Sequence, residues 1–314
     1  MPDTAWEMEY VGRRILLGEY ALAEPRFDAL ITNENFLHMS PQCASVPPVR
    51  EMRAYGADAV YVESCPVEER LPMISRIGDC YRYVANHYNH YFVRIDGTFD
   101  DYMARFNSRT RSTLRRKVRR FKELSACSNY FRVYRHPNEM DEFIRYSRVV
   151  AEKSFQERLF GEGLPDTEEF RAQLIESARQ GGVEGYVLFC GDRPVSYIHG
   201  PISYGTIILY DYVGYDPEFS SYSPGTVLQY LAIKHLFDEG RIKLYDLCTG
   251  EGPHKSLFAN DHQLCADIYY FRGKPRLIAI FFTDFVFRYM TWSVTWILDK
   301  LRLKSRTKRF LRSR

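Results

Sequence analysis

Residues 185–271 carry the pattern that most restricts the fold of this chain. Short runs of apolar, β-branched and aromatic residues alternate with turn residues, which is typical of β-strands. The runs lie at residues 185–190, 195–199, 206–213, 243–248 and 266–271. A helical segment that ends at Gly240 separates the third run from the fourth. The first two runs therefore predict a hairpin, and the whole pattern predicts a mixed α/β sheet around one βαβ crossover.

Helical periodicity precedes this region. A long helix is predicted to begin at Thr98 or Asp100, both of which are N-cap residue types, and further helices are predicted near residues 140–155 and 167–180. The apolar face of the long helix is carried by Met103, Leu114, Val118 and Phe121.

Charge is unevenly distributed along the chain. The 43 Lys+Arg and 40 Asp+Glu residues nearly cancel, but residues 109–122 hold eight cations and no acid, and residues 299–314 hold eight cations and one acid. The rest of the chain has 27 basic against 39 acidic residues. The cationic face of the long helix could hold the phosphates of an activated or lipid-linked sugar, lie on an anionic membrane, bind nucleic acid, or be only solvated. Nucleic acid is the least favoured specific partner, because no set of stacking aromatic residues and no readout motif accompanies the arginines.

The segment 277–298 is almost wholly apolar, yet it contains Asp284 and Arg288 on one helical stripe. A spanning helix would place both charges near the middle of the bilayer. We therefore favour an interfacial helix with Trp292 and Trp296 in its apolar face, so that residues 277–314 would contact an anionic membrane surface. A helix packed on the protein's own body and a spanning helix stay open. We expect a cytoplasmic protein that is peripheral on the inner membrane, since acids stand where a secretory signal needs cations.

Other function classes lose support for lack of their motifs. The seven cysteines form no CxxC pair, so we expect reduced thiols, no disulfide scaffold and no metal site. The sequence has no phosphate-binding loop of the NTPase type, no dinucleotide fingerprint and no nucleophile elbow.

Several motifs in sequence order resemble a known family. They are found at residues 111–117, 155–159, 191–195, 214–219, 223–228, 245–246, 250–251 and 254–258. With them, residues 99–271 resemble the GNAT-fold acyltransferases of the CelD type, which are related to the Fem-type aminoacyl transferases. The family usually has Tyr-Lys where this chain has His254 and Lys255, so a role for that tyrosine is not carried over.

The resemblance implies an architecture. It implies a GNAT-like fold with a central mixed sheet flanked by helices over residues 98–275, followed by a C-terminal amphipathic helix with a basic tail over residues 276–314. Residues 1–97 are interpreted as an N-terminal α/β region that is part of the same domain or a degenerate GNAT-like half.

The resemblance also implies site residues. Acyl-CoA, such as acetyl-CoA, would place its pyrophosphate at a helix N-terminus formed by Tyr222, Ser223, Pro224, Gly225 and Thr226. Acyl transfer needs a base for the amine proton and donors for the oxyanion, and the candidates are His199, Asp211, Tyr212 and Lys255. The candidate acceptor-binding residues are Arg111, Arg115, Arg116, Gln156, Arg158, Asp246, Glu251 and His254.

Structural roles stay open for the same residues. Ser223 to Thr226 would also suit a plain helix cap, and His199 would suit a packed strand residue. Asp211 and Asp246 lie in apolar strands and would also suit pairs with arginine.

The function expected is an acyl-CoA-dependent N-acyltransferase. An amine of an amino sugar, or of a cell-envelope or exopolysaccharide precursor, would attack the thioester directly. One alternative is a Fem-type transferase that takes its acyl group from an aminoacyl-tRNA. Another is a non-catalytic GNAT-like scaffold at the membrane.

Overall fold

The computed structural model describes residues 6–17, 20–32, 34–39, 41–45, 47–126, 128–154, 163–250 and 252–300. The chain divides into two compact units. Unit 1 is formed by Met1–Tyr88 together with Leu264–Arg314, and unit 2 is formed by Asn89–Gln263.

The elements are named here in chain order. The strands are β1 (Trp6–Gly12), β2 (Ile15–Leu17), β3 (Tyr20–Ala23), β4 (Arg26–Thr32), β5 (Ala59–Pro66), β6 (Ile74–Ile77), β7 (Cys80–Arg94), β8 (Phe131–Tyr134), β9 (Val183–Cys190), β10 (Arg193–Ser203), β11 (Ile207–Leu209), β12 (Val213–Tyr215), β13 (Leu244–Asp246) and β14 (Asp261–Arg272). The α-helices are α1 (Val49–Ala54), α2 (Phe99–Ala104), α3 (Ser108–Ser125), α4 (Met140–Ala151), α5 (Glu168–Arg179), α6 (Pro224–Glu239), α7 (Pro253–Phe258) and α8 (Pro275–Lys300). Short 3₁₀ helices lie at Pro41–Ala44, Pro137–Glu139 and Pro217–Tyr222.

Unit 1 is built on a mixed sheet in the order β1-β4-β5-β14-β7, with β6 paired to β7. The β4–β5 pair is parallel, and the β1–β4 and β5–β14 pairs are antiparallel. Strands β2 and β3 form a separate hairpin. The sheet residues of this unit come from both ends of the chain, so its core requires contacts between residues far apart in sequence.

Helix α8 packs on unit 1 through its first turns. Leu277 and Phe281 are buried in the same cluster as Phe27 and Phe271. By length and composition alone, residues Pro275–Val294 of this helix could cross a membrane. The side of the helix with Asp284 and Arg288 faces the rest of unit 1. An interfacial helix would instead turn these charges toward water. The physical reason is that unit 1 supplies partners for both charges.

One sequence-based expectation was wrong for unit 1. We expected reduced cysteines, but Cys43 and Cys65 form a disulfide that joins the 3₁₀ helix Pro41–Ala44 to β5. The pair escaped prediction because 22 residues separate the two cysteines, and only the fold brings them together.

The strands of unit 2 are arranged in the order β7-β13-β11-β10-β9-β8, with β12 also paired to β10. The predicted hairpin is β9–β10, which turns at Gly191 with a φ of 59°. Strand β11 runs parallel to β13, and α6 connects the region of β12 to β13. This is the predicted crossover, and the mixed sheet flanked by helices confirms the predicted fold class.

The single long helix predicted from Thr98 is two helices. Thr98 caps α2 as expected, because its side chain accepts from the Asp101 N–H while Asp101 bonds back to the Thr98 N–H. Asn107 then caps α3 by accepting from the Thr110 N–H, so a second helix begins there. At the end of α2, Arg105 donates to the carbonyls of Phe258 and Ala259, which secures the end of α7.

The predicted third strand is broken at residues 210–212, between β11 and β12. Before the break, β11 pairs with β10 and with β13. After it, β12 pairs with β10. A wedge therefore opens beside β12, and α6 begins next to it.

Candidate functional site

A cavity of about 370 Å³ lies in unit 2 beside the broken strand. Its walls come from β10, from Tyr210 and residues 213–215, from the start of α6 and from α7. The lining residues are Ser196, Tyr197, Ile198, Tyr210, Val213, Gly214, Tyr215, Ser220, Ser223, Pro224, Gly225, Thr226, Gln229 and His254. Four of the five predicted cofactor-binding residues, Ser223 to Thr226, thus share this cavity, whereas Tyr222 lies next to it in sequence but does not line it.

The first turn of α6 offers backbone N–H groups to this cavity. Ser223 adopts the left-handed conformation at the N-cap, with φ 54° and ψ 52°, and its side chain makes no capping hydrogen bond. A plain side-chain cap therefore does not explain the residue. Pro224 has no N–H to satisfy, and Gly225 and Thr226 line the cavity with the positive end of the helix dipole behind them.

A buried carboxylate fixes the loop that leads into α6. Asp216 is 1% exposed and accepts from Lys153 at 3.1 Å and from Arg193 at 2.5 Å, and it caps the Glu218 N–H. Burial opposes its ionisation, but the hydrogen bonds from Glu218, Arg193 and Lys153 hold the pKa of Asp216 below its ordinary value. The loop before Ser223 is therefore held by charge-assisted bonds.

Gly225 leaves room for a ligand. A Cβ placed there would meet only the Tyr215 ring, at 3.8 Å, which is an ordinary van der Waals contact. The glycine is therefore not required by the packing of the protein itself. Larger side chains would extend into the cavity.

Gln229 lies one turn into α6 and was not predicted. It is 2% exposed, lines the cavity, and its side-chain nitrogen has no hydrogen-bond partner among the residues that the structure describes. An unpaired buried amide destabilises a protein by about 1–3 kcal/mol. A hydrogen-bond acceptor on a bound ligand would satisfy this nitrogen. The sequence signal was a glutamine within an otherwise apolar helix face.

Two predicted residues lie together on α7. His254 lines the cavity with its ring 6.1 Å from that of Tyr210, while Lys255 donates to the carbonyls of Cys248 at 3.3 Å and Thr249 at 2.5 Å. Burial lowers the pKa of Lys255. Partial burial of the His254 ring, followed by the charge of Lys255, lowers the pKa of His254, so its ring is neutral at pH 7.

Asp246 ends β13 and pairs with a histidine instead of the arginine considered above. Its Oδ1 lies 2.5 Å from His90 Nε2 and accepts from the Cys248 N–H at 2.8 Å. Both side chains are 4% exposed. The pair shapes the turn that leads to α7, and sequence analysis missed His90 because nothing in the pattern of β7 distinguishes it.

His199 and Asp211 also pair, with 3.0 Å between Nδ1 and Oδ2. The His199 ring packs against Phe143 and Phe170, and neither member of the pair lines the cavity. Tyr212 lies beside His199, and burial, followed by the charge of Asp211, raises the pKa of its hydroxyl. These three predicted catalytic residues therefore form a group beside the broken strand, separate from the lining of the cavity.

The predicted arginines of α3 line a different surface. Arg111, Arg115 and Arg116 border a groove of about 410 Å³ together with Ser108, Ser112 and Arg119. One arginine that was not singled out, Arg120, lies 4.7 Å above the Tyr222 ring and so brings a cation to the loop before α6. Gln156, Arg158 and Glu251 lie outside the described residues.

One carboxylate–histidine cluster has the composition of a metal site. Among the described residues, Glu184, His235 and Glu239 bring ligand atoms within 4.8 Å of one another. Their atoms already have protein partners, because Arg241 donates to Glu184 at 2.5 Å and Arg135 donates to both Glu239 and His235. The cluster is therefore satisfied as an ion-pair network.

Comparison with known proteins agrees with the fold of unit 2. Residues 108–256 match the family model described as the acetyltransferase (GNAT) domain. The search of curated proteins gave no match.

Solved structures with a similar fold have low sequence identity to this chain. L-PGS from Bacillus licheniformis is 14% identical with a TM-score of 0.50, over 87% of this chain and 88% of that one. The C-terminal domain of a putative lysylphosphatidylglycerol synthetase from Agrobacterium fabrum is 10% identical, with a TM-score of 0.49 over 82% of each chain. FemX is 12% identical, with a TM-score of 0.48 over 88% of this chain and 90% of that one.

The residues that match the family model all lie in unit 2. The matched residues include the hairpin, the broken strand, the crossover helix α6 and the lysine-bearing helix α7. Residues 108–256 are therefore similar to the acetyltransferase (GNAT) domain, and this match supports a transferase.

Proposed function

We propose that the protein is an acyl-CoA-dependent N-acyltransferase of the CelD type. The donor is acetyl-CoA or another acyl-CoA. The acceptor is an amine of an amino sugar, or of a cell-envelope or exopolysaccharide precursor. The reaction needs no metal in this proposal.

The observation that carries the proposal is the uncapped start of α6 in the cavity. Ser223 provides no side-chain cap, Gly225 adds no side chain, and the first-turn N–H groups are left to bind a pyrophosphate. The adjacent wedge beside β12 then receives the pantetheine and thioester. Gln229 supplies a buried amide donor in the same cavity.

Transfer proceeds by direct attack of the neutral amine on the thioester carbonyl. The C–N bond forms, the C–S bond breaks, the amine proton passes to a base, and the thiolate takes a proton from water. His254 suits the role of base, because it lines the cavity and its lowered pKa keeps the ring neutral at pH 7. The His199–Asp211 pair is the other candidate, with Tyr212 beside it.

Acceptor binding is assigned to the polar groups around the wedge. Lys255 follows His254 on α7 and Asp246 ends the neighbouring strand β13, while Gln156, Arg158 and Glu251 are retained from the sequence. The arginines of α3 would hold phosphates of an activated or lipid-linked acceptor, since they border one cationic groove.

Calorimetry with acetyl-CoA and longer acyl-CoA thioesters tests the proposal. Gly225→Trp should abolish binding because the indole would fill the cavity, while Gly225→Ala should retain it. Gly273→Trp is a matched control, because a Cβ there also meets only one ring, that of Tyr81 at 3.7 Å. Absence of binding to every CoA thioester would refute the proposal.

A second candidate donor is an aminoacyl-tRNA, and the α3 groove is the observation that favours it. A groove lined by Arg111, Arg115, Arg116 and Arg119 would attract a nucleic-acid backbone. Arg115→Glu with Arg116→Glu should then abolish tRNA binding and its salt dependence. Unchanged binding in this variant would exclude the groove as the RNA site.

We further propose that the protein works in the cytoplasm and is peripheral on the inner membrane through residues 277–314. The support is the apolar surface of α8 and the cations that follow it in the sequence.

A further inference from the structure

Helix α8 buries a charged side chain and exposes large apolar ones. A helix on the surface of a water-soluble protein usually does the opposite. Its inward stripe continues from Leu277 and Phe281 to the charged pair Asp284 and Arg288. Its outward side is apolar between Ile278 and Val294. The outward residues are Ile278, Phe282, Tyr289, Met290, Trp292 and Val294, which are 40–61% exposed.

Hydrogen bonds fix this orientation of the helix. Asp284 is 1% exposed and accepts two bonds from Arg13, at 2.7 and 3.0 Å, and one from the Tyr83 hydroxyl. Arg288 donates to the Ala85 carbonyl and, at 2.9 Å, to Asn86. Turning the apolar side inward would leave the largely buried Arg13 guanidinium and the buried Tyr83 hydroxyl without their carboxylate partner, which is strongly unfavourable.

A cationic cavity of about 710 Å³ opens beside this apolar side, within unit 1. It is lined by Arg13, Arg14, Leu16, Met73, Asn86, Asp284, Arg288, Tyr289, Thr291 and Trp292. Three guanidinium groups face one carboxylate, so the lining carries a net positive charge. Arg14 is the accessible cation, with 69% of its side chain exposed and only a 3.7 Å contact to Glu24.

The β2–β3 hairpin extends the apolar surface on the other side of the cavity. Leu16 and Leu17 on β2 and Leu22 on β3 are 39–51% exposed. Leu16 also lines the cavity, so the cationic opening has apolar residues on both sides. Such an arrangement matches the boundary of a bilayer, where charged phosphates lie next to hydrocarbon.

We propose that the apolar side of α8 and the β2–β3 hairpin bind the surface of an anionic phospholipid bilayer, with a lipid phosphate in the cavity at Arg14. Tyr289 and Trp292 lie at the level of the headgroups, where amphipathic aromatic rings are favoured. The cations of residues 300–314, known here from the sequence, add attraction to anionic lipid. This inference deepens the proposed membrane attachment and does not depend on which acyl donor unit 2 uses.

Charge complementarity distinguishes a bilayer from a second copy of this chain. A second copy would bring the same cations to the same opening and would leave them facing each other. A spanning arrangement of α8 would require the Arg13–Asp284 pair to separate or to enter the hydrocarbon. Shallow binding at the bilayer surface leaves the ion pair of Asp284 and the hydrogen bonds of Arg288 intact.

Vesicle flotation of the full chain tests the proposal, with phosphatidylcholine vesicles and with an equimolar mixture of phosphatidylcholine and phosphatidylglycerol. We expect partitioning to the mixed vesicles. Phe282→Ser with Trp292→Ser should weaken it about tenfold or more, since both variants remove aromatic surface that the bilayer would bury. Tyr55→Ser, at an aromatic residue 53% exposed on the same unit, is the control and should leave partitioning unchanged.

The headgroup cavity is tested by the preference for phosphatidylglycerol. Arg14→Gln should reduce that preference about fivefold, as expected for one cation near an anionic surface. Arg76→Gln is the control, because Arg76 is exposed on unit 1 but does not line the cavity. Equal loss in both variants would show that only overall charge matters and would overturn the headgroup site.

Further outcomes decide against the proposal. Absence of partitioning to both vesicles overturns it, as does unchanged partitioning of the Phe282→Ser/Trp292→Ser variant. A dimer that this variant abolishes, without vesicle binding, would assign the surface to a second copy. Vesicle-bound protein that resists carbonate extraction would indicate a spanning helix. Acyl-CoA calorimetry without vesicles separates this result from the proposed function, because it reports on unit 2 alone.

Discussion

Gln229 illustrates how a single buried side chain can indicate a ligand. Its amide nitrogen is unpaired among the described residues although the side chain is 2% exposed. Gln229→Leu should therefore keep the free energy of unfolding unchanged or raise it by about 1–2 kcal/mol, because the unpaired donor is removed. The same variant should lose about tenfold or more in acyl transfer if the amide bonds the donor. Urea unfolding and initial rates measure the two effects. A loss of stability beyond about 1 kcal/mol would show that the amide has a partner in the free protein.

Ser223 is the second residue whose conformation points to the site. A non-glycine residue in the left-handed region is disfavoured by about 1–2 kcal/mol relative to its right-handed form. Ser223→Val should destabilise the protein by roughly 1 kcal/mol beyond the cost that serine already carries, since a β-branched side chain fits this region worse than serine does, while Ser223→Gly should be neutral or mildly stabilising. Thermal unfolding of both variants measures the difference. Equal stability of the two variants would contradict the left-handed backbone at this position.

At the scale of the element, α6 ends in a network that makes stability depend on pH. Arg135 donates to His235 Nε2 at 3.0 Å, and burial, which outweighs the opposing charges of Glu239 and Glu184, lowers the pKa of His235 below its ordinary 6.5. The unfolded chain then binds more protons than the folded one between the lowered pKa and 6.5, so stability falls as pH falls through that window.

His235→Gln should flatten the pH dependence that α6 imposes. The free energy of unfolding of the variant, measured by urea from pH 7.5 to about 5, should decline less than that of the unchanged protein, because one titrating group is gone. His87→Gln is an informative comparison in unit 1, since burial lowers the pKa of His87 in the same direction. An identical slope before and after His235→Gln would contradict the assignment.

Elements were predictable where local signals agree with the tertiary structure. The Thr98 cap, the β9–β10 hairpin and the Gly240 stop of α6 all follow from residues that act within one turn. The break between α2 and α3 was missed because the apolar periodicity continues across it. The inward polar stripe of α8 was missed because its partners, Arg13 and Tyr83, lie more than 200 residues away.

At the scale of the whole molecule, the sequence motifs indicated a GNAT-like fold but did not indicate unit 1. The motifs lie within one continuous stretch of chain that overlaps the family match at residues 108–256, so resemblance detects them. Unit 1 instead combines Met1–Tyr88 with Leu264–Arg314, and no local sequence pattern predicts that these two segments pack together. Part of the cavity lining could be predicted for the same reason: residues 223–226 form one motif, whereas Gln229 and His90 are recognised only from burial and distance.

The Arg13–Asp284 pair tests whether unit 1 depends on this union of chain ends. Arg13 is 14% and Asp284 1% exposed, and 271 residues separate them. Arg13→Met should destabilise by about 3–5 kcal/mol, because it leaves a buried carboxylate without its cation. Arg13→Met with Asp284→Leu should recover most of that loss, because an apolar pair needs no partner. Urea unfolding of the single and double variants completes the cycle. Equal destabilisation in both would mean that the pair contributes through packing alone, and that other contacts join the two chain ends.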